Sequence, residues 1–484
     1  MRTKRSTERK STDFRRKLNL AAVLAIVLVV SLPLMTNYCI DGVDVSYYLR
    51  QLERGGWEDI SLLIPSLLVR AGLPTEFVYK LFLFGLNAAT AAISYFCFRG
   101  IFRDDVTGLI GSMLYTWAPY RLNDLYCRGD LGEAVSLCFF PMLCFGLYGL
   151  FREETDSREY GRLWLVLAPA YTMLFQSYLL SFLTAAGFTL LLCIVMWRKT
   201  LRKQTLLTLL KTALAFAACN LWFLALLFLR LRSGAFSMEA YQGRLIQGGG
   251  VYPNVFLQLF FVNGSSWRTD GTGTAQLQPM GMGFAVTLCV LAYLWLSFTG
   301  RYRNREEEGG IRLMARGMAV TGGILAVMSM NCFPWDYLQK RNGLLFRLIA
   351  SLQSPSRLMP LVLLCFTFVS CAAVWQVRSW EKGEAGRIFA AAAAVTALLV
   401  TQYLTGDILR TGEPRILYGV EYGAPDGEER YEPGNLDISP LDYGRYESAG
   451  SAVPAVIYAG EAVLTTAAGG MLIAWGWRKK RAEE

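Results

Sequence analysis

The chain has 484 residues, of which 54% are hydrophobic and only 18% charged, against roughly 45–50% and about 25% in soluble domains. Its formal net charge is +10 and it contains no histidine, which excludes the serine triad, the cysteine–histidine dyad, HExxH zinc hydrolysis and histidine general bases. Neither a CxxC pair nor a GxxxxGK[ST] phosphate loop occurs, so any chemistry falls to Asp, Glu, Arg, Tyr or a lipid.

The first 17 residues, MRTKRSTERKSTDFRRK, hold eight Lys or Arg. The apolar run that follows, 18–35, is longer than a signal-peptide core and lacks an AxA-like cleavage site, so it reads as a retained signal anchor. Further runs follow at 77–98, 106–118, 134–151, 163–178, 179–197, 206–229, 281–299, 313–330, 358–377, 388–405 and 455–477. A bilayer core takes about 20 residues of helix, so the pattern predicts an all-α polytopic integral membrane protein with about 12 (11–13) transmembrane helices. The runs 163–178 and 179–197 read either as a broken helix pair or as one long tilted helix. With the N-terminus inside, cytoplasmic segments take 28 of the 48 Lys and Arg. The positive-inside rule then sets both termini on the cytoplasmic side of the cytoplasmic membrane. The pI of 9.0 reflects that anchoring and predicts no nucleic-acid partner. Of eleven cysteines only Cys39, Cys127 and Cys332 fall at or beyond the exported boundary, a spacing that predicts no disulfide framework.

This topology divides the chain into a basic cytoplasmic tail at 1–17, a transmembrane region at 18–405, an acidic exported loop at 406–454, and a last helix with a basic tail at 455–484. The transmembrane region carries exported loops at 36–75, 119–133, 230–279 and 332–357. The acidic loop holds ten acids against four Arg and reads as a flap over the other exported loops, or as a lid whose tyrosines stack on a sugar or lipid head. No internal repeat stands out, and the cations within spans, Lys80, Lys211 and Arg316, lie near span ends where they snorkel. An ion-coupled transporter therefore ranks last.

Three exported constellations carry the chemistry. The densest, PYRLNDLYCRGDLGE, places Arg121, Asp124, Arg128, Asp130 and Glu133 between two apolar runs. Spacings of three and four allow internal pairing on a helical turn. The functional alternative has Arg121 or Arg128 gripping a phosphate bidentately while the carboxylates orient the guanidinium groups. The second is Asp41 and Asp44 in CIDGVDVSYYLRQLERG: either ordinary loop acids, or a partly desolvated carboxylate able to serve as general base toward an acceptor hydroxyl. One carboxylate suffices if the leaving group is a lipid phosphate, which departs as a stable anion, whereas glycoside hydrolysis needs two. The third, FPWDYLQKRNGLLFRLIASLQSPSR, sets Asp336, Lys340, Arg341, Arg347 and Arg357 among prolines, on an interfacial helix or on irregular backbone lining a cavity. GRLIQGGGVYP reads as a flexible loop.

The runs LPTEFVYKLFLFGLN, APYRLNDLYCRGDLGEAVSLCFFPMLCFGL, FPWDYLQ and LQSPSRLMPL resemble the bacterial membrane proteins labelled "6-pyruvoyl-tetrahydropterin synthase related", relatives of YfhO in the GT-C glycosyltransferase superfamily. The resemblance covers roughly 41–405. It implies a GT-C-like enzyme taking a sugar from a polyprenyl-phosphate donor and passing it, with inversion, to an envelope polymer, lipid or protein acceptor on the exported face. Membrane lipids are its surroundings, and no cofactor or metal site is implied, with a divalent cation left open. Asp44 matches the acid of a DxxFH-like motif, here DVSYY, with Asp41 as its neighbour and substitute. Tyr120 and Arg121, then Arg128, then Glu133, match YR, RG and GE elements, with Asp124 among them, and Arg357 matches the Arg of QxPxR. These imply a catalytic carboxylate and a lipid-phosphate or donor-binding set. The chain departs where Tyr48 stands for the histidine of DxxFH, where Gln176, Ser177 and Tyr178 replace a Ser–His pair, and in a shortened first exported loop. The second expectation is accordingly a catalytically degenerate lipid-binding scaffold or flippase of the envelope glycosylation machinery.

Overall fold

The computed structural model describes residues 2–40, 44–54, 60–151, 155, 157–221, 224, 245–257, 279–299, 309–341, 343–380, 384–411 and 415–417. Asp41, most of the acidic loop and the expected span at 455–477 lie outside the described residues.

The described residues are mostly helical. The N-terminal helix α1 (Arg2–Val30) joins the basic tail to the first apolar run without a break, and a 3-10 turn, Leu32–Met35, leads to the short strand β1 (Tyr38–Ile40). Then come α2 (Val45–Arg54), α3 (Ile60–Arg70), α4 (Thr75–Phe102), α5 (Asp105–Thr116) and α6 (Pro119–Leu122). A π-helical turn, Asn123–Arg128, leads into α7 (Leu131–Leu150), followed by α8 (Trp164–Ser177), α9 (Leu179–Val195), α10 (Trp197–Thr200) and α11 (Lys203–Cys219). The last group is α12 (Phe284–Phe298), α13 (Gly309–Ser329), α14 (Trp335–Gln339), α15 (Gly343–Ala350), α16 (Met359–Trp380), α17 (Glu384–Thr411) and β2 (Arg415–Leu417).

Every expected apolar run except the last overlaps a described helix, and five described segments are long and apolar enough to cross a membrane: Thr75–Phe102, Leu131–Leu150, Gly310–Ser329, Pro355–Arg378 and Glu384–Gly406. The other runs give shorter helices. At 12 residues, α5 rises only about 18 Å, short of the roughly 30 Å hydrocarbon core, so among the described residues length and composition show five crossings and not the expected count of about 12.

Helix ends follow local chemistry. Asp104 caps α5, accepting from the Thr107 amide at 2.8 Å, and Arg103 ends α4 in the left-handed region at φ 53°. Bundle contacts combine apolar packing with interhelical hydrogen bonds. Asn87 donates to Ser31 Oγ (2.9 Å) and Tyr126 Oη (3.1 Å), Trp117 Nε1 to the Ile26 carbonyl (2.9 Å), and Tyr115 to the Leu137 carbonyl (2.8 Å). In a bilayer such bonds satisfy polar groups that lipid cannot. The most enclosed segment is Pro355–Arg378, with 94% of its apolar window buried. Leu24, Leu28, Phe96, Leu190, Leu214, Leu291, Ile324 and Leu399 point outward, as lipid-facing positions do.

The 163–197 ambiguity resolves as an antiparallel hairpin. Tyr171 on α8 bonds Thr189 on α9 at 2.5 Å and packs edge-on against Phe182, while the extended Tyr178 (φ −158°, ψ 106°) forms the apex. The GRLIQGGGVYP segment is not a free loop. Over residues 245–257 it docks through 3-10 turns Gln247–Gly249 and Pro253–Phe256 and a bridge from Val251 to Met330. Gly250 lies so close to Asn331 that a Cβ would sit 2.6 Å from its amide nitrogen. The start of the expected acidic loop is also structured: α17 continues to Thr411, and β2 pairs antiparallel with β1 in the register Ile40↔Arg415.

Candidate active site

The 119–133 segment is a buried structural element, not a surface loop. Pro119 starts α6, the π-turn places Asp124 and Arg128 on one side, and Gly129 closes it at φ 76°, where L side chains are strained. Asp130 then caps α7 by accepting from the Glu133 amide at 3.1 Å.

Arg128 is enclosed by three acids. Its Nη1 lies 3.4 Å from Asp124 and 3.0 Å from Glu133, and its Nη2 lies 2.9 Å from Asp130. Arg357, 229 positions away in sequence at the foot of the buried 355–378 segment, adds a second guanidinium: its Nη1 meets Asp130 at 3.3 Å and also pairs with Glu133. Tyr120 donates to the other oxygen of Glu133 at 2.5 Å, and the Arg357 guanidinium stacks 5.0 Å from the Tyr178 ring centroid. Two like charges are thus held together by Asp130 and Glu133, with side-chain exposures of 9% for Arg357 and 1% for Glu133.

Asp44 arrives from the other end of the chain. Its amide donates to the Arg128 carbonyl at 2.9 Å, and Val45 presses on Gly129, leaving no room for a Cβ there. One turn further along α2, the buried Tyr48 hydroxyl accepts from the Gly132 amide at 3.3 Å. Gly132 is equally constrained, since a Cβ would meet the Ser177 carbonyl at 2.8 Å. These contacts bring Asp44, the Arg128 cluster, the α8–α9 apex and Arg357 to one end of the bundle.

Burial, and secondarily the negative charge of Glu133, push the Asp124 carboxyl well above its ordinary range. Burial also opposes ionisation of Asp130, but Arg128 and Arg357 outweigh it and hold that carboxyl below its usual value. Burial, then the charges of Asp130 and Asp44, raise the Tyr48 phenol, which stays a neutral hydroxyl. Two guanidinium groups, those of Arg128 and Arg357, thus face the carboxyl groups of Asp130 and Glu133.

Several residues fall outside this cluster. Arg121 makes no ion pair with Asp124; it is fully buried and donates to the Thr116 carbonyl (3.2 Å) and to Thr90 Oγ1 (3.1 Å). The turn that carries it points it between α4 and α5, so it cannot reach a ligand held by Arg128 or Arg357 without repacking. Asp336 accepts from the Gln247 amide at 3.0 Å, tying α14 to the 245–257 segment, and Arg341 stacks on Tyr337. Tyr48 and Tyr178, read from sequence as departures from a family pattern, are structural members of the site. The unreadable signal was packing: the glycines at 129 and 132 mark close approach, and sequence does not say of what. Among the described residues no group of three or more Cys, Asp and Glu is arranged to hold a metal ion.

Comparison with known proteins adds little. No family model and no curated protein matches. Among solved structures the chain is similar to the mycobacterial arabinofuranosyltransferase AftD determined by cryo-electron microscopy, with a TM-score of 0.44 and 16% identity over 82% of this chain. The chain spans 27% of that protein's length. A likeness of that size carries no argument about activity.

Proposed function

We propose that this protein is a polytopic membrane glycosyltransferase of GT-C type. In this reading it moves a sugar from a polyprenyl-phosphate donor to a cell-envelope acceptor on the exported face, with inversion and Asp44 as the base. The observation that supports the reading is the convergence of three segments distant in sequence: Asp44 is hydrogen-bonded through its backbone to Arg128, and Arg128 and Arg357 share Asp130 and Glu133. A carboxylate base and fixed positive charge for the leaving group are the minimum such a transfer needs, because the lipid phosphate leaves as an anion and requires no acid. Glu133 and Asp130 orient the arginines, and Tyr120 fixes Glu133. The chemistry is sugar transfer by a carboxylate base, with the anionic leaving group stabilised by fixed positive charge.

One observation favours a second reading. Arg128 already faces three acids, so a non-catalytic lipid-binding scaffold or flippase accounts for the cluster as a structural lock. Asp44→Asn in reconstituted membranes separates the two. Under the transferase reading, sugar transfer from a polyprenyl-phosphate donor falls by about 10²–10⁴-fold while lipid binding persists. Unchanged transfer removes Asp44 as the base, and absence of transfer by the native chain with lipid binding retained selects the scaffold.

A further inference from the structure

The two arginines of the cluster are not equivalent. Arg128 spends its guanidinium on Asp124, Asp130 and Glu133, whereas Arg357 meets both its acids through Nη1 alone. Both side-chain hydrogen bonds of Arg357 run through Nη1, which leaves the Nε–Nη2 edge without one among the described residues. That edge of a guanidinium is a two-donor fork matched to a phosphate. It belongs to a side chain that is only 9% exposed and lies over the ring of Tyr178.

Tyr178 is also the residue that precedes the 17-residue helix α9, and it provides no side-chain cap there. The first bond across that end is from the Phe182 amide to the Tyr178 carbonyl, so the amides of Leu179, Leu180 and Ser181 head the helix without an acceptor among the described residues. The N-terminus of α7, also at the site, is already served by the Asp130 side chain and the Tyr48 hydroxyl. Uncapped amides at a helix start, with the positive end of its dipole, favour an anion.

We propose that a phosphoryl anion sits between the Nε–Nη2 edge of Arg357 and the N-terminus of α9, with the Tyr178 ring as a wall, and that Arg128 is a positioning residue which does not touch it. This deepens the transferase reading and rests on it: the anion is the phosphate of the lipid-linked donor, bound on the side of Arg357 away from the carboxylates. Arg128 acts through its neighbours, holding Asp130, Glu133 and the backbone of Asp44.

The test uses the full chain in lipid nanodiscs, with farnesyl phosphate as the probe, farnesol as the uncharged control and inorganic phosphate as competitor. Leu179→Pro deletes one of the three amides at a position where proline suits a helix, after a residue already extended. It is expected to weaken farnesyl phosphate about tenfold, the loss of one hydrogen bond to a charged group, without lowering the melting temperature or changing farnesol binding. Arg357→Gln is expected to weaken it by at least as much, and Arg357→Lys, which keeps charge but not the fork, by an intermediate factor. Inorganic phosphate bound with the same sensitivities, and no advantage for the prenyl chain, supports the anion site and assigns it to free phosphate. Variants that melt like the native chain and bind farnesyl phosphate equally tightly overturn the site while leaving the transferase reading intact. A native chain that binds neither anion overturns both.

Discussion

Gly129→Ala tests how the candidate base is held. At φ 76° an L-residue is strained by about 1–2 kcal/mol. The added methyl also collides with the Val45 side chain, which is 1% exposed and has nowhere to move, and overpacking of that kind costs about 1–3 kcal/mol. The sum is about 2–5 kcal/mol. Gly72→Ala provides the control, because Gly72 has φ 95° but nothing within 4 Å of its Cβ position, so only strain remains. Thermal melting of the solubilised full chain should place Gly129→Ala clearly below Gly72→Ala. Amide exchange should rise across α2, whose start rests on Gly129 through Val45 and the Asp44–Arg128 bond. Adding Val45→Ala should recover part of the loss despite its own cavity. Equal melting of the two glycine variants, with α2 protection unchanged, would refute the docking of Asp44 against this turn.

Other outcomes follow from the charges. Arg128→Met leaves Asp130 and Glu133 short of a buried counter-charge and should cost about 3–5 kcal/mol, read as a lower melting temperature and partly relieved by adding Glu133→Gln. Arg121→Met, in contrast, replaces a buried guanidinium without an ion-pair partner among the described residues by an apolar chain. It should leave melting unchanged or raised and donor binding intact; loss of binding would restore Arg121 to the site. Asp130, whose pKa is depressed on folding, contributes stability that is present above the ordinary carboxylate range and lost as pH falls through its folded value. Asp124, whose pKa is raised, does the reverse, losing its contribution as pH climbs through the folded value. Asp124→Asn should therefore flatten the alkaline side of the melting-versus-pH profile and leave the acid side in place; an unchanged alkaline side would contradict a raised Asp124 carboxyl.

The membrane-helix pattern was legible because apolar runs of this length have few other uses, and Arg128, Glu133 and Arg357 stood out as candidates, but in two separate constellations. Arg121 misled because its neighbours in sequence suggested a partner three residues away, while the π-turn aims it between α4 and α5 instead. Which arginine meets which acid depends on packing over 229 positions and has no local signature. The 163–197 run was ambiguous for a similar reason: extended Tyr178 separates two short helices, and only the Tyr171–Thr189 contact reveals the hairpin. The β1–β2 pairing was invisible because strands of three residues carry no periodicity. Gly129 and Gly132 looked like turn punctuation, yet they mark where α2 and the hairpin apex press on the start of α7.

The central claim is that this end of the bundle holds a phosphate-linked glycosyl lipid, and native mass spectrometry of the chain purified in mild detergent addresses it most directly. The account predicts an adduct with the mass of a polyprenyl phosphate bearing a sugar, retained by Arg121→Met and lost from Arg357→Gln. A native chain that carries only bulk phospholipid, and still does so after incubation with a glycosylated polyprenyl phosphate, would contradict it.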